Sequence, residues 1–404
     1  MTTIAFHRVP RTRPPVVPSD PVVIRTPPPL DESGRLLRTL QIVAPVTAAG
    51  TGLVFVLAYR QSAPLIIAMG IAIGTAVIVA MLTAFAQARA TRRQRRRARR
   101  RYLDYLAAMQ ADIDSLLTLQ LQREATLFPT ASQMLDLAIA GQRLFERRAT
   151  DDDFLDVRVG TGPLPWPAPV VLQEVDPLGP ELETDLLGAA QQLVARYAQR
   201  DSGPHAISLK TSGTVAVRGQ LQTGRGVVRS VVLQAALFQS PDDLRIAVLC
   251  DSPSAAAEWD WIKWLPHAHA GDAVTDTMCA DASAADSLLR RLGATRGPAH
   301  TLLVVDCWSP RGPLARSAEL RAAMAANGEA RLTTLCLVER DQDEPADVRS
   351  RVVVDGSRIT PDDPEPPIAV AIARRLAPLR LERQSSEVAA GESSAGGLAV
   401  ALGR

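Results

Sequence analysis

The residues best suited to chemistry lie in the stretch VAVRGQLQTGRGVVRSVVLQAALF (215–238), which reads as a strand, a glycine-containing loop and a helix. Gly219 and Gly224 have the G-x4-G spacing of a phosphate-binding loop. In such a loop backbone N–H groups cradle phosphate, a lysine neutralises the β/γ charge, and a Ser or Thr hydroxyl holds Mg2+. Arg225 stands where the lysine belongs, and Gly226 where the hydroxyl belongs. Further along, TLLVVD (301–306) ends in Asp306, placed like the strand-terminal carboxylate that helps hold Mg2+, but Cys307 follows it instead of a water-activating Glu. The frame of a P-loop domain without its reacting groups predicts a degenerate site at Gly219, Gly224, Arg225 and Asp306, with no cofactor and no enzymatic activity. The rival reading is an ATPase binding nucleotide at this loop.

Other constellations point away from catalysis. EWDWIKWLPHAHA (258–270) gathers three of the chain's five tryptophans and two of its five histidines. His267 and His269 form an HxH without a third ligand, so no metal is expected. Trp259 and Trp261 have the spacing of an extended face, Trp261 and Trp264 that of a helical turn. A bend would bury some indoles and leave others as a contact surface for a neighbouring subunit or domain. Cys250, Cys279, Cys307 and Cys336 are far apart with no CxxC, as expected of buried free thiols in a reducing compartment. His205 and Ser208 have no acid partner, and Asp151–Asp153 reads as a solvated turn or cap. There is no GxSxG, HExxH or dinucleotide fingerprint.

The elements that would position these residues follow from patterning. With 45 basic and 43 acidic residues in 404, overall charge favours neither nucleic acid nor membrane. Residues 1–34 are rich in Pro and Arg and read as extended or disordered, with one short strand at 22–25. No charge interrupts the chain between Arg38 and Arg60, or between Arg60 and Arg89. Crossing a bilayer takes about 20 apolar residues, so 39–59 and 63–87 are expected to be transmembrane helices joined by a tight hairpin, with Gly70 and Gly74 as a GxxxG. Arg92, Arg93, Arg95, Arg96, Arg97, Arg99, Arg100 and Arg101 crowd the exit of the second span, whereas the hairpin carries only Arg60. The positive-inside rule then sets both termini in the cytoplasm, and the arginine run meets anionic lipid headgroups. No interleaved aromatics support nucleic-acid binding, although a membrane-tethered DNA-binding protein is a further alternative. Tyr102, Leu106, Met109, Ile113 and Leu116 continue as an apolar stripe, so 88–150 reads as a helical stalk with a second helix at 130–143. From 151 to 382 strand-like and helical runs alternate: 154–160, 206–210, 214–219, 243–251, 301–306, 332–339 and 351–356 as strands, 227–239, 282–292 and 367–381 as helices. That pattern predicts an α/β domain with a mainly parallel sheet, followed by a Ser/Gly/Ala-rich tail at 383–404.

Together these motifs resemble the N-terminal part of the EccC family, the FtsK/SpoIIIE-type motor component of actinobacterial type VII (ESX) secretion systems. RRRYLDYLAAMQADI (99–113) follows the two spans as in that family. RLFERRATDDDFLDVRVG (143–160) is similar to the family's W-E-R-x-x-x-D-x-D-F-L-x-x-R-x-G, FQSPDDLRIAVL (238–249) to H-S-P-D-D-L-x-I-A, and EWDWIKWLPH to E-W-D-W-x-K-W-L-P-H. Phe145 replaces the usual Trp and Gln239 the usual His. The resemblance implies a two-pass subunit of the inner (plasma) membrane and an ATPase-like domain that couples motor to pore. Its implied partners are subunits of the EccB, EccD and EccE type, and the family's tandem ATPase domains on a longer or separate chain. It also implies homo-oligomerisation within the complex.

Overall fold

The structure, a computed structural model, describes residues 4–29, 63–176, 179–268, 278–279, 281–294, 299–326, 331–354 and 359–381. The expected span at 39–59 and the tail at 383–404 lie outside them. Apart from short helical pieces, the first elements are β1 (Ile4–Phe6), β2 (Val22–Ile24), α1 (Ala63–Leu127), α2 (Ala131–Ala140), β3 (Asp156–Pro165), β4 (Val170–Leu172), α3 (Thr184–Arg196) and β5 (Gln199–Ser208). Then come β6 (Thr214–Arg218), α4 (Leu221–Phe238), β7 (Leu244–Leu249), β8 (Met278–Cys279), α5 (Ala282–Ala294), β9 (His300–Val305) and α6 (Ala318–Ala325). The last are β10 (Leu332–Val338), β11 (Val348–Val353), β12 (Thr360–Pro361), α7 (Pro366–Leu376) and β13 (Leu379–Leu381). Two compact units result: one of Met1–Val16, Leu121–Leu164 and Asp201–Arg404, the other of Val17–Gln120 and Pro165–Arg200. Residues 165–200 therefore group with the stalk rather than with the α/β domain expected from 151 onward.

The α/β unit is built on a six-stranded sheet of order β11-β6-β10-β9-β7-β8, and its strand pairs are parallel. The near-continuous apolar runs of β7, β9 and β10 suit strands covered on both faces. Side chains alternate along each strand. Val215 and Val217 of β6 share a core with Val227, Val228, Val231 and Val232 of α4. Ala216 between them faces a second core with Leu288 of α5 and Leu320 and Met324 of α6. A smaller sheet of order β12-β3-β5 pairs β12 antiparallel to β3, Pro361 opposite Gly160. A Cβ on Gly160 would stand 2.6 Å from the Thr360 carbonyl oxygen, so only glycine allows this approach. Gly160→Ala is therefore expected to destabilise the chain by about 1–3 kcal/mol, read as a lowered midpoint in denaturant. An unchanged midpoint would mean that the β12 segment moves freely.

The proline- and arginine-rich start is extended, as half of the expectation had it, but it is not left unpaired. β1 runs parallel to β13, with Ile4 opposite Leu379. Arg8 pairs with Asp243 and Arg11 with Asp151 at 2.8 Å, and the Thr12 amide donates to Glu146 Oε2 at 3.1 Å. A segment with too little apolar surface to fold alone is held by charges on the body it crosses.

Most of α1, an unbroken helix of 65 residues, belongs to the other unit. Within Gly74–Leu127 it is long and apolar enough to cross a membrane, and none of its apolar window is buried. Ile71, Ile78, Met81, Leu82 and Phe85 are all exposed. The same helix then turns amphipathic. Tyr102, Leu106 and Ile113 are buried together with Ile24, Trp166, Leu186, Ala190 and Leu193. The apolar stripe thus finds its partner within the chain, in α3 and the β2–β4 pair, rather than in a coiled coil. Tyr102 Oη donates to the Arg25 carbonyl at 2.7 Å, and Tyr197 Oη to Asp114 Oδ1 at 2.5 Å. α2 begins at a capping box on Thr130, Thr130 Oγ1 and Gln133 each accepting the other's amide, and ends on Gly141 in the left-handed region (φ 66°).

Candidate functional site

The phosphate-loop reading fails at the glycines. Gly219, at φ 143°, makes the turn out of β6, but α4 starts at Leu221 with Gln220 as its N-cap. The connection is two residues long. The Gly224 amide, which a phosphate loop would aim at its ligand, donates to the Gln220 carbonyl at 2.9 Å inside the helix. Both helical glycines serve close packing instead: a Cβ on Gly224 would lie 2.8 Å from Leu337 Cδ2, and one on Gly226 would overlap the Asp363 carboxylate. Gly219 and Gly224 form no nucleotide cradle here.

The other two predicted residues do meet. Arg225, on the first turns of α4, donates through Nε to Asp306 Oδ2 at 2.9 Å, and Trp259 Nε1 donates to the same oxygen at 2.8 Å. Asp306 is fully buried, Trp259 is 1% exposed and Arg225 7%. The second carboxylate oxygen, Oδ1, has no hydrogen-bond partner among the described residues. Burial opposes the Arg225 cation, yet the Asp306 charge and hydrogen bond outweigh it, so the guanidinium holds its proton more tightly than usual. Three elements bring the centre together. Asp306 follows β9, its amide donating to the Leu249 carbonyl of β7 at 2.9 Å. Trp259 closes a short helix, Pro253–Glu258, that starts on a Ser252 cap with proline at its first turn.

A second guanidinium, Arg229, sits one turn further along α4. It is buried, donates to the Pro364 carbonyl at 3.0 Å and faces the Asp363 carboxylate at 3.3 Å. Burial lowers its pKa despite Asp363. The thiols do not add a nucleophile. Burial pushes Cys250 and Cys307 up to about 12 and raises Cys336 further, so all three stay protonated at neutral pH. Cys307 adopts φ 57°, a left-handed turn that carries the chain away from the sheet directly after Asp306.

The tryptophan stretch is helical rather than a strand with a bend: Asp260–Trp264 and Pro266–Ala268 are 3-10 turns. Trp259 and Trp261 (4% exposed) both point into the core, which removes them from the expected interaction surface. Trp264 alone is half-buried, with the Arg374 guanidinium 5.2 Å above its ring. His267 is buried and donates through Nε2 to the Gln239 carbonyl at 2.9 Å; His269 lies outside the described residues. No group of metal-ligating side chains occurs among the described residues. His205 donates to the Pro163 carbonyl at 3.2 Å, and Asp151 accepts the Arg148 amide at 2.9 Å as a turn cap while pairing with Arg11. Arg92, Arg93, Arg95, Arg96, Arg97, Arg99, Arg100 and Arg101 are all exposed on α1, and Arg99 pairs with Glu183 at 2.8 Å.

Sequence reasoning missed two features. Trp259 belongs to the arginine–aspartate centre, a link that no local spacing shows because 47 residues separate it from Asp306. Arg147 is buried at 2% exposure, donates to the Asp156 carbonyl at 2.9 Å and stacks over Phe238 at 4.5 Å. The quoted RLFERRATDDDFLDVRVG pattern contains Arg147 and Asp156, but the pattern alone does not say which arginine is inside.

No protein-family model matches the chain. The ESX secretion system protein EccC of Thermomonospora curvata is 28% identical over 270 residues, 66% of this chain and 20% of the relative. ESX-4 secretion system protein EccC4 of Mycobacterium tuberculosis is 29% identical over 286 residues, 69% of this chain and 21% of the relative. The chain is a homologue of the EccC proteins. It spans 20–21% of the length of those two relatives. Among solved structures, the cytoplasmic domain of the Thermomonospora curvata type VII secretion ATPase EccC matches at 17% identity over 44% of this chain and 28% of that one, with a TM-score of 0.31. EssC (ATPases 2 and 3) from Geobacillus thermodenitrificans matches at 9% over 54% and 40%, with a TM-score of 0.32. Scores this low say nothing about mechanism. The expectation that this chain is no enzyme and lacks the family's ATPase domains does not stand, because the relatives it matches in sequence are EccC proteins, and the solved EccC is an ATPase by name.

Proposed function

We propose that the chain is the membrane-anchoring and coupling part of an EccC-type secretion motor, joining an inner-membrane complex to ATPase domains in the cytosol. One observation carries this reading. α1 runs without a break from an exposed apolar segment, through the arginine run, to a stripe buried in a folded unit. A helix apolar all round has no place in water, and its continuity makes it a lever between bilayer and cytosol. Arginines flanking the span on its α1 side support a cytosolic folded part, and the charge-free stretch before Arg60 supports a second span with both termini inside. Subunits of the EccB, EccD and EccE type and ATPase domains of an EccC motor are the proposed partners, on the strength of the homology to ESX secretion proteins.

Affinity purification of the full chain from native membranes tests this reading. Other secretion subunits are expected to co-purify in detergent, and to be lost when residues 39–87 are deleted. A preparation containing the chain and none of them would overturn the assignment.

A further inference from the structure

The proline- and arginine-rich start lies on the α/β unit as a ligand lies on its receptor. Phe6 meets the Phe145 ring edge-on at 5.8 Å. Arg8 donates to Ser240 Oγ at 2.6 Å and to Asp243 Oδ2 at 2.5 Å. Arg11 pairs with Asp151 at 2.8 Å and with Asp153 at 2.5 Å, and the Thr12 amide donates to Glu146 Oε2 at 3.1 Å. β1 pairs along β13, and Arg123 donates to the Pro15 carbonyl at 3.2 Å. We infer that the strip beneath this strap is a docking site for an extended Phe-x-Arg-x-x-Arg segment. Its partner is a second copy of this chain, whose strap exchanges with the resident one. The inference does not draw on the reading of α1 as a membrane helix.

Three observations carry it. The first is that the body orients the strip's acceptors by itself. The Ser240 hydroxyl donates to Asp243 at 2.9 Å and accepts the Asp243 amide at 3.2 Å. Arg143 Nε donates to Glu146 at 3.0 Å, the Arg148 amide to Asp151 at 2.9 Å, and Arg147 faces Asp153 at 3.5 Å. Each carboxylate that the strap uses is thus already positioned, as in a preformed receptor. The second is that the strap puts little into the core. Ile4 is 52% exposed, Ala5 and His7 are exposed, and Phe6 and Arg8 are half-buried. Charge and backbone pairing hold it, and ion pairs of that exposure are weak and screened by salt. The third is the tether. Val16 is 86% exposed, Pro18, Ser19, Asp20 and Pro21 are exposed, and from Val17 the chain belongs to the other unit. Prolines at 14, 15, 18 and 21 stiffen residues 13–21 into a rod of about 3.1 Å per residue, or ~28 Å in all. Such a tether carries a released strap outward instead of folding it back, which is how exchange between copies begins. Between copies held side by side, the neighbour's strip then competes at high effective concentration.

The β1–β13 register supplies the test. Ala5 and Arg380 are register partners, and neighbouring strands lie ~4.8 Å apart, within the Cα range of a disulfide. Two full-length chains with different tags, one A5C and one R380C, are co-expressed and mildly oxidised before extraction. A disulfide-linked pair carrying both tags is expected. It should be absent when either variant is expressed alone, which controls for Cys250, Cys279, Cys307 and Cys336. R8E/R11E in the A5C chain should lower its yield at least ~10-fold, since attractions become repulsions. D151N/D243N in the R380C chain should lower it too, so a strap variant that folds badly does not stand in for lost docking. A single chain with both cysteines is the reference for the resident arrangement. Internal closure of that chain without any mixed pair would show that each strap stays on its own body, and would overturn the exchange. A mixed pair that survives both sets of charge changes would report collision, and overturn the strip as the docking site. Failure of both linkages would remove the strap from β13, and the inference with it.

Discussion

Asp306→Ala is expected to destabilise the α/β unit by about 3–5 kcal/mol, the largest effect of any single substitution in the buried centre. The carboxylate is fully buried and holds two donors, Arg225 Nε at 2.9 Å and Trp259 Nε1 at 2.8 Å. Removing it leaves a guanidinium at 7% exposure without its counter-charge, and leaves a buried indole N–H unpaired, itself about 1–3 kcal/mol. Asp306→Asn keeps an acceptor for the indole but not the charge, and should fall between parent and alanine variant. The pair in isolation is a different matter. Replacing both charges by apolar groups of like volume, as in R225M/D306L, removes the desolvation of two ions and should recover most of the loss. Denaturant midpoints of the four proteins, compared at equal slopes, decide the point. If Asp306→Ala unfolds at the parental midpoint, Arg225 has another partner, and the centre described here is not what holds α4 to β9.

The same variants bear on nucleotide. With Gly224 inside α4 and Arg225 satisfied by Asp306, the two charged residues taken for a nucleotide site answer each other across the sheet end. Any nucleotide bound through them would have to break a buried ion pair first.

How much of this was legible in the sequence depends on whether the signal was local. The parallel α/β core was legible because each buried strand is a short apolar run between helical ones, and Val215–Ala216–Val217 already shows the alternation that faces two cores. The stalk stripe was legible by its spacing, though not its partner, since Leu186 and Leu193 lie some 80 residues away. The G-x4-G misled because it fixes two residue types and says nothing about where a helix begins. Leu221–Gln222–Thr223 has enough helix propensity to start α4 at once, and a loop of four residues never forms. The tryptophans misled because a 3-10 turn repeats near three residues, so i, i+2 spacing no longer separates two faces. Compositional reading likewise undervalued the N-terminal strap, whose order comes from Arg8 and Arg11 meeting Asp243 and Asp151, pairs more than a hundred residues apart.

Two histidines set the second large expectation, a loss of stability in mild acid. His267 is buried between Phe145 and the Gln239 carbonyl, and His300 between Phe154 and Thr333 Oγ1. Burial is the main reason that both pKa values fall from 6.5 to about 4, with Arg380 adding to it at His267 and Arg331 and Lys210 at His300. In the unfolded chain both rings take up a proton near pH 6.5; in the fold they resist until about 4. The unfolded state therefore binds more protons across that window, so the stabilisation is complete above pH 6.5 and drains away as pH falls toward 4. Each histidine contributes about 3 kcal/mol over the window. Asp156 acts in the opposite sense, since burial raises its pKa and the fold then favours its protonated form. The experiment is therefore a comparison of slopes. Unfolding free energy from pH 7.5 to 4.5 should fall steeply for the parent, less for His267→Gln or His300→Gln, and least for the double variant. Parallel curves for all four would mean that neither ring is held neutral by the fold.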